Sequence, residues 1–323
     1  MQIAGVAFNI AVMQKELLFD IDDIKSKLDA LEDGKDVRAY LMEMVGLDKY
    51  LRHRKTVMVG EVPINCEVYE APTANAPVVI FIPGIGTYAE MYTQFLYTLS
   101  QQGFTVVGVD LRGHGYSGGE RGAYTVDQVQ QDIGQVIEYM IPRYGDQIAM
   151  YGCSIGSPLA LAVAENDVRV KALLCHTLFL AEFPPDAMTK LGWDTLRFTR
   201  MFLPDYRVDF RTFVDVNQLV KDNALAHFME YDDVLMWNYP VRTLASVYSR
   251  RCVALRRDIV IPAAVITGED DELLHESYIR GIIERMETHF DLMVVPKGRH
   301  MLPFDNIKEL VRLSADWLHK AFY

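Results

Sequence analysis

The chain has 323 residues, half of them apolar and 24% charged, an ordinary composition for a globular protein that can bury a substantial core. Its formal net charge of −12 argues against nucleic acid or an anionic membrane as the main partner. No apolar run approaches the roughly 18 residues that a transmembrane helix needs.

Met1 to Met13 is fairly apolar, but it lacks a basic n-region and a small-x-small cleavage site, and Asn9 interrupts it. It reads as part of the folded protein, not as a signal peptide. Leu17, Leu18, Ile21, Ile24, Leu28 and Leu31 then recur at helical spacing until Asp33-Gly34-Lys35-Asp36 breaks the pattern. A second helix carries Val37, Leu41, Met44 and Val45 and ends near Gly46. This N-terminal helical extension, residues 1–55, carries no recognisable chemistry. Packing on the core is preferred to covering a site or forming a dimer contact, and a homo-oligomer stays open.

From Lys55 the period changes. Thr56 to Val59 and Ile64 to Tyr69 read as two strands joined by a turn, and Val78 to Ile82 as a strand buried on both faces. It runs into Pro83-Gly84-Ile85-Gly86. A helix over Tyr88 to Gln102 and a buried strand over Thr105 to Val109 follow, then Asp110-Leu-Arg-Gly-His-Gly-Tyr-Ser-Gly-Gly119. Four glycines in those ten residues imply a tight, shaped loop. His114 could be offered as a base here, but a loop histidine fixed by local hydrogen bonds is the preferred reading.

Ile148 to Tyr151 reads as another buried strand, and Leu159 to Ala164 as good helix formers. Between them lies Gly152-Cys153-Ser154-Ile155-Gly156. Residue frequencies give about 0.1 chance occurrences of Gly-x-Ser-x-Gly in a chain this long, so the flanking strand and helix make it informative. A strand, a sharp turn and a helix lift the Ser154 hydroxyl out at the strand's carboxyl end.

Val168 to Cys175 is a further strand. Residues 177–256 then break the alternation. They are mostly helix-like and rich in Phe, Trp, Tyr and Met, including Phe179, Phe183, Trp193, Phe198, Met201, Phe202, Met236 and Trp237. This reads as a helical cap (lid) over the sheet's carboxyl edge. Many of these side chains make the cap's own core and a minority line an apolar pocket, with Phe179, Phe183 and Trp237 as candidate substrate contacts. The alternation resumes with a strand over Asp258 to Ile266, a helix from His275 to Met286, a strand over Leu292 to Val295 and a helix from Asn306 to Phe322. The fold class is α/β, a mostly parallel sheet flanked by helices.

A nucleophilic serine needs a base for its proton and a carboxylate to orient that base. Asp271 follows one strand end and His300 the next, on the edge that holds Ser154. Glu269, Asp270, Asp271 and Glu272 are contiguous, so chemistry alone leaves Asp270 and Asp271 both open. His275 and His289 are weaker base candidates, since neither directly follows a strand end.

With these residues in view, the core (56–176 and 257–323) resembles the α/β-hydrolase superfamily. Within it the chain is similar to the monoglyceride lipase, lysophospholipase and serine-aminopeptidase-type group. Gly152-Cys-Ser-Ile-Gly156 carries the superfamily signature and Asp110-Leu-Arg-Gly-His-Gly-Tyr-Ser the group's. The resemblance implies a triad of Ser154, Asp271 (as Gly268-x-x-Asp) and His300 (as Gly298-x-His). It also implies an oxyanion hole from the backbone N–H groups of Ile85 and Ile155. Pro83 departs from the His that many relatives carry before this glycine, but the Ile85 donor survives that change.

The expectation is a serine esterase or lipase-like hydrolase. It would cleave carboxylic esters with an apolar acyl group, such as monoacylglycerols or lysophospholipids, and need no cofactor or metal. A peptidase, a thioesterase, an acyltransferase and a non-catalytic ligand-binding protein are the alternatives. Dehalogenase and epoxide-hydrolase chemistry are disfavoured, because those relatives carry Asp where this chain has Ser154. The four cysteines, Cys66, Cys153, Cys175 and Cys252, lack metal-ligand spacing and read as reduced thiols in a cytoplasmic protein.

Overall fold

The computed structural model describes residues 39, 42–43, 45–212, 229 and 232–323. The helix expected over Leu17 to Leu31 lies outside them, as do Val37, Leu41, Met44, Phe213 and Phe228. The described part of the N-terminal segment packs on the core. Met42 and Leu47 are buried, and after a single helical turn, Asp48–Leu51, the His53 ring stacks on Tyr97 at 4.4 Å.

The chain runs through β1 (Lys55–Val59), β2 (Ile64–Tyr69), β3 (Val78–Ile82), α1 (Thr93–Ser100), β4 (Thr105–Val109), α2 (Val126–Tyr144), β5 (Ile148–Cys153), α3 (Gly156–Asn166) and β6 (Val170–His176). A segment inserted after β6 supplies α4 (Ala187–Thr199), an antiparallel pair of β7 (Arg207–Asp209) and β8 (Asn238–Pro240), and α5 (Val241–Val247). The core resumes with β9 (Ala263–Gly268), α6 (Glu276–Ile283), β10 (Asp291–Val295) and α7 (Ile307–Phe322).

Eight strands form one sheet in the order β1-β2-β4-β3-β5-β6-β9-β10. β2 is antiparallel to both β1 and β4, and every other pairing is parallel. Strands β3, β4 and β5 are buried throughout, as continuous apolar runs covered on both faces should be. Alternate residues sort into two layers. Val78, Ile80, Ile148, Met150 and Val265 share a core with α2, α3 and α6, whereas Val79, Phe81, Ala149, Tyr151 and Ile266 share one with α1 and α7.

Three stretches differ from the sequence reading. Tyr88 to Gln102 is not one helix: Ala89–Tyr92 is a 3-10 turn, with the Ala89 N–H held by Asp110 Oδ1 at 2.7 Å, and α1 follows it. Val168 and Arg169 precede β6, because Asp167 Oδ1 accepts the Arg169 N–H at 3.0 Å. Asp258 to Pro262 stay outside β9. Asp258 Oδ1 accepts the Val260 N–H at 2.9 Å, a local turn that leaves Val260 exposed with φ at +56°.

The inserted segment has a small aromatic core in which Trp193 stacks on Tyr248 at 4.8 Å and Phe179 tilts against both. Phe198, Met201 and Phe202 take no part in it and are 64%, 74% and 67% exposed. Among the described residues no helix is long and apolar enough to cross a membrane. All four cysteines are buried and free.

Candidate active site

Strand β5 ends at Cys153 and α3 begins at Gly156, so Ser154 and Ile155 make the entire turn. Ser154 has φ at +51°, a left-handed conformation that costs a residue with a Cβ. Its N–H donates to the His176 carbonyl on β6 and its carbonyl accepts from the Ser157 N–H, both at 2.9 Å, which holds the strain in place. The glycines let the turn close this tightly. A Cβ on Gly152 would lie 2.4 Å from the Gly156 carbonyl oxygen, and one on Gly156 would lie 2.3 Å from that of Ile82. Ser154 emerges partly exposed at the carboxyl edge of the sheet, between two buried neighbours.

The loops after β9 and β10 meet it there. His300 Nε2 lies 3.1 Å from Ser154 Oγ. On the other side of the ring, Nδ1 lies 2.9 Å from Asp271 Oδ2 and 3.1 Å from Oδ1. Of the four contiguous acids, Asp271 is the one that is fully buried, while Glu269 and Asp270 are exposed. Glu272 braces the backbone at His300 instead: it accepts from the Arg299 guanidinium at 2.6 Å and from the His300 N–H at 3.1 Å. Asp271 Oδ1 also accepts the N–H groups of Leu273 and Leu274, at 2.9 and 2.8 Å. Burial works against the Asp271 charge. The His300 ring and these two amides outweigh it and hold the carboxyl below its ordinary value. A buried carboxylate, an imidazole and a hydroxyl thus stand in line, the arrangement that takes a proton from the hydroxyl and stabilises the imidazolium formed.

Backbone donors flank the serine. In the loop after β3, the Gly84 N–H donates to Tyr92 Oη at 3.2 Å, the Gly86 N–H to Tyr239 Oη at 2.8 Å and the Thr87 N–H to the Gly84 carbonyl at 3.3 Å. Among the described residues no acceptor reaches the Ile85 N–H, nor that of Ile155 ahead of α3. Two unpaired N–H groups, one of them at a helix start, suit an oxygen that gains negative charge.

The remaining candidates sit elsewhere. His114 is buried with both ring nitrogens engaged, by the Arg112 carbonyl and by Tyr239 Oη. His275 caps α6 on the surface, and exposed His289 pairs with Asp291. Phe179 belongs to the inserted segment's own core, and Phe183 lies at the surface under the Arg285 guanidinium. Trp237 comes closest to the site's backbone, its ring packed against Gly86.

Sequence reasoning passed over His176, at the end of β6, whose ring lies 5.9 Å from that of His300. Its Nδ1 is 3.2 Å from Cys153 Sγ, and burial lowers its pKa to about 3, so the ring is neutral. Its place at a strand's carboxyl end was the available signal. Burial pushes the Cys153 thiol up to about 12, which keeps it protonated.

Solved structures share this fold. A monoacylglycerol lipase from Paleococcus ferrophilus superposes with a TM-score of 0.67 at 19% identity, covering 80% of this chain and 98% of its own. A soluble variant of monoglyceride lipase from Saccharomyces cerevisiae, in complex with a substrate analogue, gives 0.68 at 17% identity and coverages of 83% and 96%. A thermostable carboxyl esterase from Bacillus coagulans gives 0.68 at 14% identity, covering 84% and 98%. No curated protein sequence matches significantly. The family model described as Hydrolase_4, serine aminopeptidase S33, matches residues 73–307, well over half of the chain. With the sheet order, the turn at Ser154 and this match in agreement, the chain belongs to the serine aminopeptidase S33 family of α/β hydrolases.

Proposed function

We propose that the chain is a serine hydrolase that cleaves carboxylic esters with an apolar acyl group, of the monoacylglycerol or lysophospholipid kind. The observation that carries this reading is the line from Ser154 Oγ through His300, 3.1 Å away, to Asp271, 2.9 Å from the ring's other nitrogen. His300 Nε2 takes the hydroxyl proton as Ser154 Oγ attacks the ester carbonyl. Asp271 holds the ring with its proton on Nδ1. The tetrahedral oxyanion sits on the Ile85 and Ile155 N–H groups. His300 then protonates the leaving alcohol, and a water activated by the same ring releases the acid and restores Ser154. No cofactor enters.

In this reading residues 177–256 act as a cap over a core of 56–176 and 257–323. The apolar side chains that the cap leaves exposed, such as Phe198 and Phe202, favour a lipid-like substrate over a polar one. Lipases and an esterase among the similar solved structures support ester over amide chemistry. Four buried, free cysteines fit a reducing compartment such as the cytoplasm.

The test is a chain-length series of p-nitrophenyl esters run beside monoacylglycerols and aminoacyl amides, with wild type and Ser154→Ala. Loss of the nucleophile should lower turnover about 10⁶-fold, and a fluorophosphonate probe should label Ser154 in the wild type alone. Faster cleavage of the amides would move the assignment to a peptidase. Folded wild type that neither turns over an ester nor takes the probe would make the chain a ligand-binding protein instead.

A further inference from the structure

Gly86 follows Ile85 in the loop after β3, and the inserted segment grips it from both sides of its backbone. Its N–H donates to Tyr239 Oη at 2.8 Å, and its carbonyl accepts from the Met236 N–H at 2.9 Å. The fit leaves no slack. Gly86 has φ at +74°, and a Cβ there would come within 2.7 Å of the Met236 carbonyl oxygen and 3.4 Å of the Trp237 ring.

Tyr239 is wholly buried, and its hydroxyl has a second partner, His114 Nε2, at 2.8 Å. His114 Nδ1 lies 3.0 Å from the Arg112 carbonyl oxygen, and the Arg112 guanidinium is itself fixed by Asp132 at 2.7 and 3.0 Å. One proton arrangement satisfies every atom. Tyr239 Oη accepts from Gly86, so its own proton goes to His114 Nε2, and the ring proton sits on Nδ1 and goes to Arg112. That arrangement needs a neutral imidazole, and burial lowers His114 to about 4. Gly86, Tyr239, His114 and Arg112 therefore form one directed chain of hydrogen bonds from the loop after β3, through β8, to the glycine-rich loop after β4.

We propose that Tyr239 and His114 are positioning residues for the oxyanion hole. They fix the Gly86 peptide and with it the aim of the neighbouring Ile85 N–H, so the inserted segment completes a site that the core alone leaves unset. The inference rests on the serine-hydrolase reading above. Neither side chain meets the substrate; both act through one backbone donor.

Tyr239→Phe keeps the ring and removes the hydroxyl, which leaves the Gly86 N–H without an acceptor. The probes are p-nitrophenyl butyrate turnover and inhibition by an alkyl trifluoromethyl ketone, whose adduct with Ser154 carries a tetrahedral oxyanion. With one donor misaimed, kcat should fall about 10- to 100-fold while KM stays within about twofold, and ketone affinity should fall by the same factor as kcat/KM. His114→Gln keeps the Tyr239–Gly86 bond but loosens its far end, and should show the same signature at about 3- to 10-fold. This second variant carries the test if the first does not fold. A rise in KM at unchanged kcat, or ketone affinity equal to wild type in a folded variant, overturns the inference. Wild type that neither hydrolyses the ester nor binds the ketone would instead sink the serine-hydrolase reading.

Discussion

The role proposed for Asp271 rests on a choice among four adjacent acids, and what decides it is which side chain turns inward. Glu269 and Asp270 point to solvent, Glu272 is spent on Arg299 and the His300 N–H, and Asp271 is left buried against the ring. No pattern in Glu-Asp-Asp-Glu encodes that direction, because it follows from the turn's backbone and from the Leu273 and Leu274 amides that hold Oδ1. The types of the three site residues and their strand-end positions were legible; the inward face of the turn was not. Asp271→Asn tests the assignment. With its oxygen held by the Leu273 and Leu274 N–H groups, the asparagine would turn its NH2 toward Nδ1 and donate to it, so the ring loses both its tautomer and the charge that stabilises imidazolium. Turnover of p-nitrophenyl butyrate should drop about 10⁴-fold with KM little changed. Asp270→Asn, on the exposed side of the turn, should remain within about twofold of wild type. Equal losses in the two variants would mean the acid has been misassigned.

At the scale of elements, the helix that starts at the Ser154 turn also anchors the end of the inserted segment. Glu165, near the end of α3, has a fully buried carboxylate. Its Oε1 accepts the N–H groups of Val253 and Ala254 at 2.7 and 2.9 Å and lies 3.3 Å from Cys252 Sγ, while Oε2 pairs with the Arg250 guanidinium. One side chain thus ties the chain's return, residues 250–254, to the helix that positions the serine. Glu165→Ala takes the carboxylate from a mostly buried guanidinium and leaves the Val253 and buried Ala254 N–H groups unmet, and should cost about 3–5 kcal/mol in urea unfolding. Glu165→Gln keeps a carbonyl acceptor for the two amides and should cost less, about 1–3 kcal/mol. Nothing local announced this tie, since Ala-Glu-Asn reads as an ordinary solvated helix end. The same limit explains the other differences. β3, β4 and β5 were legible because strands buried on both faces must be apolar throughout. The antiparallel pair of β7 and β8 and the shortened β9 were not, because their bounds come from long-range pairing and from the turn at Asp258.

At the scale of the whole molecule, burial keeps two histidines of the described residues, His114 and His176, neutral, and that has a consequence for acid stability. Burial is the main cause for both, lowering His114 to about 4 and His176 to about 3. The groups that face His176 are Cys153, His300, whose charge would lower it further, and Asp271, which pulls the other way. In the unfolded chain a histidine takes a proton below about pH 6.5. The folded chain refuses it at His176 until about pH 3, so the unfolded state binds more protons in between. The stability tied to the neutral ring is therefore complete above about pH 6.5 and drains away as the pH falls toward the folded value. His176→Asn keeps a polar partner for Cys153 and removes the titration. Unfolding free energies from urea titrations between about pH 4.5 and 6 should then rise less steeply with pH than in wild type. The gap should be up to about 1.4 kcal/mol per pH unit, one proton's worth. Groups that titrate alike in both proteins cancel in that difference, so the comparison isolates one ring from a chain of net charge −12. Parallel slopes would mean that His176 is protonated in the folded protein. In the proposed mechanism a second positive charge would then stand beside the His300 imidazolium, at the 5.9 Å ring separation, over that pH range.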